Sequence, residues 1–157
     1  MIARSAAVTP AAIHASAVVI GEAAVILRGP PGVGKTALAL ALVEAATARG
    51  RFAKLVADDR VMLRRAGERL IVAPHSAIAG RVERRFVGLD DITHEDEAVA
   101  RLVVDLAPAR EGGLARMPGE AAGWTIIAGV RLRRLAFPAA HHHAVEAILH
   151  HLPGFAA

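Results

Sequence analysis

Ala23-Ala24-Val25-Ile26-Leu27-Arg28-Gly29-Pro30-Pro31-Gly32-Val33-Gly34-Lys35-Thr36 joins an apolar run to a glycine-rich turn, and the residues that follow, Ala37 to Ala48, are mostly helix formers. A second apolar run, Lys54-Leu55-Val56-Ala57, ends in two acids, Asp58 and Asp59. The order predicts strand, phosphate loop, helix and strand, with a carboxylate pair delivered beside the phosphate site. Gly29 to Thr36 satisfies the pattern G-x-x-x-x-G-K-[ST] in full. Glycines let the backbone curl so that successive N–H groups point at phosphate oxygens, and the helix N-terminus adds its dipole. Gly29, Pro30, Pro31, Gly32, Val33, Gly34, Lys35 and Thr36 are therefore the candidate binding segment for ATP. Lys35 reaches the terminal phosphates as a point charge, and the Thr36 hydroxyl is a ligand for Mg2+. Pro31 removes one N–H from the cradle.

One helix and one strand separate Thr36 from the acids, which places the second strand next to the first. In a parallel sheet, ligands gather at the carboxyl ends of strands, where Asp58 and Asp59 fall. Adjacent residues of a regular strand point to opposite faces, so both acids reach the site only if the chain bends there.

Upstream, residues 1–12 read as a loose leader, Ala15 to Ile20 as a strand, and Gly21-Glu22 as the turn into Ala23–Arg28. His14 then precedes a strand antiparallel to the one that feeds the loop; by residue type alone it is an ordinary loop histidine. The helix after the loop carries Leu38, Leu42, Val43, Ala45 and Ala46 toward the sheet, with Gly50 as its C-terminal stop.

Downstream, Val61–Arg64 and Leu70–Ala73 form a hairpin with one apolar and one basic face. Ser76 starts a short turn through Gly80, and Arg81 to Gly88 alternates as one strand. Asp90 to Glu97 reads as a solvated loop or helix start, and Leu102–Leu106 as a strand. Pro108 to Gly123 is a long loop, and Trp124–Ala128 with Val130–Phe137 is a closing hairpin. A final helix over about 140–152 buries Val145, Ile148, Leu149 and Leu152. It also carries His141, His142, His143, His150 and His151; His142 and Glu146 share a face, but no second pair of ligands accompanies them.

The fold class that results is α/β: a P-loop strand–loop–helix core with a mixed sheet, added β-hairpins and a C-terminal helix, in one domain spanning 1–157. The chain is 54% apolar and only 3% aromatic, which supplies an aliphatic core but no stacking platform for single-stranded nucleic acid. Nineteen basic against fifteen acidic residues favour anionic ligands or an acidic partner, and fall short of a nucleic-acid footprint. The absence of cysteine excludes disulfides, thiolate zinc sites and a thiol nucleophile, and accords with the cytoplasm. No apolar run is long enough to span a membrane.

With these pieces in place, the chain resembles the catalytic domain of HPr kinase/phosphorylase, in the short form without an N-terminal domain. The likeness runs from Ile13-His14-Ala15-Ser16 through the loop and Leu55-Val56-Ala57-Asp58-Asp59 to Leu102-Val103-Val104-Asp105-Leu106. The family's Glu-x-Arg-Gly-x-Gly signature is partly kept as Glu83-Arg84-Arg85-Phe86-Val87-Gly88, with Phe86 where the family has glycine. The family's basic residue near the C-terminus is replaced by histidine around His142 and His143.

The resemblance implies a magnesium- and ATP-dependent protein-serine kinase. Its partner would be HPr or an HPr-like phosphocarrier, inorganic phosphate would reverse the reaction, and the assembly would be a homo-hexamer. By position, Lys35 would hold phosphates, while Thr36, Asp59 and Glu83 would arrange the metal. Asp58 would be the base for the serine proton, His14 would support the acid–phosphate cluster, and Arg85 would contact phosphate or the partner. Two other readings use the same site. One is a related kinase for another protein or a small hydroxyl compound; the other is a non-catalytic nucleotide sensor, which has no need of Asp58.

Overall fold

Alternation within the apolar strands creates two buried faces, and the chain covers each differently. A computed structural model describes residues 11–75, 81–84, 88–91, 94–108, 123–139 and 143–155, with backbone alone at 81–84 and 88–91. In chain order the elements are β1 (Ala11–Ile13), β2 (Ala15–Ile20), β3 (Ala23–Arg28), α1 (Lys35–Ala48), β4 (Ala53–Ala57), β5 (Val61–Ala66) and β6 (Arg69–Pro74). They continue with β7 (Arg81–Arg84), β8 (Gly88–Asp91), β9 (Ala98–Ala107), β10 (Trp124–Ile127), β11 (Val130–Pro138) and α2 (Ala144–His150). The main sheet runs β1-β5-β6-β9-β3-β2-β4, with β11 also paired to β9 and β10 to β11.

The expected mixed α/β architecture is present. β3 and β9 are parallel, as are β9 and β11, while β2 lies antiparallel between β3 and β4. This corrects one expectation: β4 is not the neighbour of β3. The two-residue turn at Gly21-Glu22 folds β2 back along β3 before the loop is reached, and β2 thereby occupies that edge. Every residue of β2 is buried, as is β3 from Ala23 to Leu27, which is why both read as continuous apolar runs.

On one face, Val18, Ile20, Val25, Leu27, Leu55, Leu102 and Val104 meet Ala39, Leu42 and Ala46 of α1 and Ile148 and Leu149 of α2. The alternate residues, among them Ala17, Val19, Ile26 and Val103, meet Val61, Leu63, Leu70 and Val72 of the β5–β6 hairpin. Three layers result: helices, mixed sheet, folded-over hairpin sheet. Leu42 and Ala46 are buried as expected; Leu38, Val43 and Ala45 flank them, half-covered, and Ala39 completes the buried line. Truncating fully buried Leu42 to Ala would cost about 2–5 kcal/mol.

α1 stops as its residues dictate. Gly50 adopts φ 71°, its N–H donates to the Thr47 carbonyl at 2.9 Å, and the Arg51 N–H donates to the Ala46 carbonyl at 3.0 Å. Those are the paired bonds of a Schellman ending, which needs a left-handed residue where glycine stands.

Four further expectations change. Ala11–Ile13 is a strand on β5 rather than leader. Arg81 to Gly88 is not one strand; β7 and β8 pair antiparallel, so Asp90 and Asp91 are strand rather than loop. Leu102–Leu106 is the middle of a longer strand, because β9 has partners on both sides along its length. The C-terminal helix is shorter, Ala144–His150, with His143 and His151 at its two caps, and only His150 of the histidines lies within it. The turn from Ser76, Arg85 to Val87, most of the long loop, His141 and His142 lie outside the described residues.

Candidate functional site

The loop begins where β3 leaves the sheet, and local packing explains its first glycine. A side chain on Gly29 would place its Cβ 2.6 Å from the Leu106 carbonyl oxygen and 2.8 Å from a Val33 methyl. Only glycine fits between the end of β9 and the loop's own buried valine. Gly32 and Gly34 instead answer to backbone angle, at φ 77° and 104°. Gly34 caps α1, which has neither a side-chain cap nor an acid in its first turn. The first N–H groups of a helix lack intrahelical partners, so this end is left for an anion. The Lys35 ammonium lies back along the loop and donates to the Gly29 and Pro30 carbonyls at 2.7 and 3.1 Å.

The acids arrive by the bend that strand geometry demands. β4 ends at Ala57; Asp59 then takes φ 66°, and the Arg60 N–H donates to the Asp58 carbonyl at 2.7 Å. Aspartate tolerates the left-handed conformation better than most residues. As a result Asp58 and Asp59 both line a cavity of about 550 Å³ together with Lys35, Thr36 and Ser16. Asp58 is buried and Asp59 exposed. The Thr36 hydroxyl donates to Asp58 Oδ1 at 2.9 Å, and the Ser16 hydroxyl donates to the same oxygen at 2.6 Å. Of the expected site, Lys35, Thr36, Asp58 and Asp59 thus come together.

The donor set fits Mg2+. Hydroxyl and carboxylate oxygens are hard ligands, and Thr36, whose proton is given to Asp58, keeps its lone pairs for a cation. Among the described residues no three His, Cys, Asp or Glu cluster. Magnesium does not need such a cage, since it is commonly held by one or two carboxylates and the substrate phosphates.

Other expected residues stand differently. His14 is exposed in the one-residue break between β1 and β2, two positions from Ser16, and does not line the cavity. Glu83 lies in β7, opposite Leu89 of β8, and Arg85 is outside the described residues. Glu146 is paired with Arg49 at the far end of α1, and His142 lies outside the described residues.

Two features escaped the sequence reading. Ser16 is one; a lone hydroxyl in an otherwise apolar buried strand was the available signal. The other is an ion cluster at the loop's root. Arg28, the residue before Gly29, grips Asp105 through Nε at 2.7 Å and Nη2 at 2.9 Å, and Arg134 reaches the same carboxylate from β11. Burial alone would raise the Asp105 pKa; the Arg28 hydrogen bonds, then those of Arg134, outweigh it and hold the carboxyl below its ordinary value. Three parallel strands, β3, β9 and β11, are thereby tied together beneath the loop.

A strand running into a glycine loop and a helix, with carboxylates beside the loop, defines the phosphate-loop class of nucleotide-binding domains. Within that class, this chain belongs to the HPr serine kinase C-terminal domain family, whose model matches residues 6–150. Membership makes it a domain of kinase, phosphotransferase type. It is also similar in fold to the HPr(Ser) kinase/phosphatase from Coxiella burnetii, with a TM-score of 0.68 at 24% identity over 88% of this chain and 91% of that one. Comparison with curated proteins gives no match. No helix among the described residues is long and apolar enough to cross a membrane.

Proposed function

We propose that the chain, as one kinase domain over 1–157, transfers the terminal phosphoryl group of Mg-ATP to a serine of HPr or an HPr-like phosphocarrier. One observation carries this reading: Lys35, Thr36, Asp58 and Asp59 meet in a single cavity. Phosphoryl transfer asks a protein chiefly for placement and charge neutralisation, so a lysine, metal ligands and one base suffice.

In this reading the serine oxygen bonds to the γ-phosphorus as the bond to the bridging β–γ oxygen breaks, ADP leaves, and the serine proton passes to Asp58. Lys35 swings from the loop carbonyls onto the phosphates. Bound Mg2+ supplies neutralisation of the phosphate oxygens, and Thr36, Asp59 and Glu83 are the residues to hold it. His14 supports the acid–phosphate cluster, and Arg85 contacts phosphate or the partner protein. Inorganic phosphate removes the group again: its oxygen bonds to the phosphoserine phosphorus, pyrophosphate forms, and the serine oxygen leaves with the proton that Asp58 returns. The cytoplasm and a homo-hexameric assembly complete the proposal; the lack of cysteine suits the first.

Incubation with Mg-ATP and the host's HPr-like carrier should add one phosphate mass to the carrier, on serine. Intact-mass spectrometry decides it, and an unmodified carrier with well-folded protein removes this reading.

A further inference from the structure

Asp58 offers four lone-pair positions on two oxygens, and the structure assigns them unequally. Both hydroxyl donors, Ser16 and Thr36, go to Oδ1. Among the described residues no bond is made to Oδ2, and no buried side-chain oxygen or nitrogen lacks a partner. Oδ2 is therefore open, and since Asp58 lines the cavity, it opens there. A carboxylate held by Thr36 alone would turn about that one bond. Ser16 supplies the second point. It is fully buried in β2, the strand between β3 and β4, so the sheet holds its backbone and fixes where its hydroxyl can reach.

We infer that Ser16 is a positioning residue for phosphoryl transfer: it saturates Oδ1 together with Thr36 and so turns Oδ2 toward the acceptor hydroxyl. The inference rests on the proposed reaction, since it concerns how Asp58 is presented to that hydroxyl. It also separates two duties within one side chain. Oδ1 orients the metal-binding threonine, and Oδ2 receives the proton.

The test uses Ser16→Ala and Ser16→Cys in the full chain. Alanine removes the donor; cysteine keeps a similar volume but offers only a weak S–H donor. Misplacement of a reacting group costs on the order of 100-fold, so kcat for carrier phosphorylation should fall about 10- to 100-fold in both. Equilibrium ATP binding and KM for ATP should stay within about twofold, because nucleotide contacts are untouched. Full activity of either variant, or a loss seen wholly in KM, overturns the role of Ser16 while leaving the proposed reaction standing. A second arm needs no acceptor: crystal structures of wild type and Ser16→Ala with Mg and a non-hydrolysable ATP analogue. The expected result is an Asp58 carboxylate rotated or split over two conformers in the variant. One unchanged orientation overturns the inference even if wild-type protein fails to phosphorylate the carrier, the outcome that would separately reject the proposed reaction.

Discussion

Asp105→Asn should destabilise the domain by about 2–4 kcal/mol at neutral pH. The carboxylate accepts two bonds from Arg28 and one from Arg134. Hydrogen bonds to charged groups contribute roughly 1.5–3 kcal/mol each when buried. Here the three side chains keep 23–31% of their exposure, so water screens them and about 1 kcal/mol per bond is the fairer figure. The amide also presents an NH2 group to a guanidinium and leaves two cations facing each other.

The pH dependence follows from the direction of the shift. Asp105 is more acidic folded than unfolded. Its contribution is complete above the ordinary carboxylate range of about 4 and is lost as pH falls through the lowered folded value. Urea unfolding at pH 7 should show the full gap between wild type and variant, and a thermal scan should show a shift of roughly 5–12 °C. The gap should close as pH falls through that lowered value. A neutral-pH difference under about 0.5 kcal/mol, the size of an ordinary surface substitution, or a gap unchanged in acid, would refute the assignment.

Gly29→Ala drives a Cβ into the Leu106 carbonyl and Val33, and backbone cannot yield as a flexible side chain would. It should cost about 1–3 kcal/mol and weaken ATP binding at least about tenfold by calorimetry. Gly50→Ala is the control: its space is open, so only the left-handed backbone is strained, by about 1 kcal/mol, with ATP affinity unchanged. Asp58→Asn should lower carrier phosphorylation about 10²- to 10⁴-fold and leave ATP affinity within a few-fold. Transfer that survives this change would mean that another group takes the proton.

The hairpin Ala15–Ile20/Ala23–Arg28, the loop, α1 with its glycine stop, and the closing hairpin were legible from the chain alone. Each depends on neighbours within a few residues: alternation, a turn dipeptide, a left-handed position. The need for a bend at Asp58-Asp59 was legible too, since a straight strand cannot aim both acids one way. Less was visible where partners are distant in sequence. β2 separates β3 from β4 because the early hairpin claims that edge, and a count of intervening residues carries no such information. The length of β9 depended on β3, β6 and β11 lying beside it. The final helix fell short of its apolar pattern because Leu152 is buried just past the helix end, in the turn leading to Pro153.

What the amino-acid order determined by itself was the phosphate-binding segment, since a glycine loop between a strand and a helix is built from residues in direct succession. What the tertiary structure decided was how Asp58 is held. Ser16 lies in β2, Thr36 in α1 and Asp58 just past β4, and only sheet order brings two hydroxyls onto one carboxylate oxygen. In the same way Arg28, Asp105 and Arg134 form an ion cluster because β3 and β11 flank β9 in a register that sets Arg28 opposite Asp105 and Arg134 opposite Val103, two residues before it. Hydrogen bonds and charge pairs act over a few ångströms of space, and separation along the chain does not fix that distance.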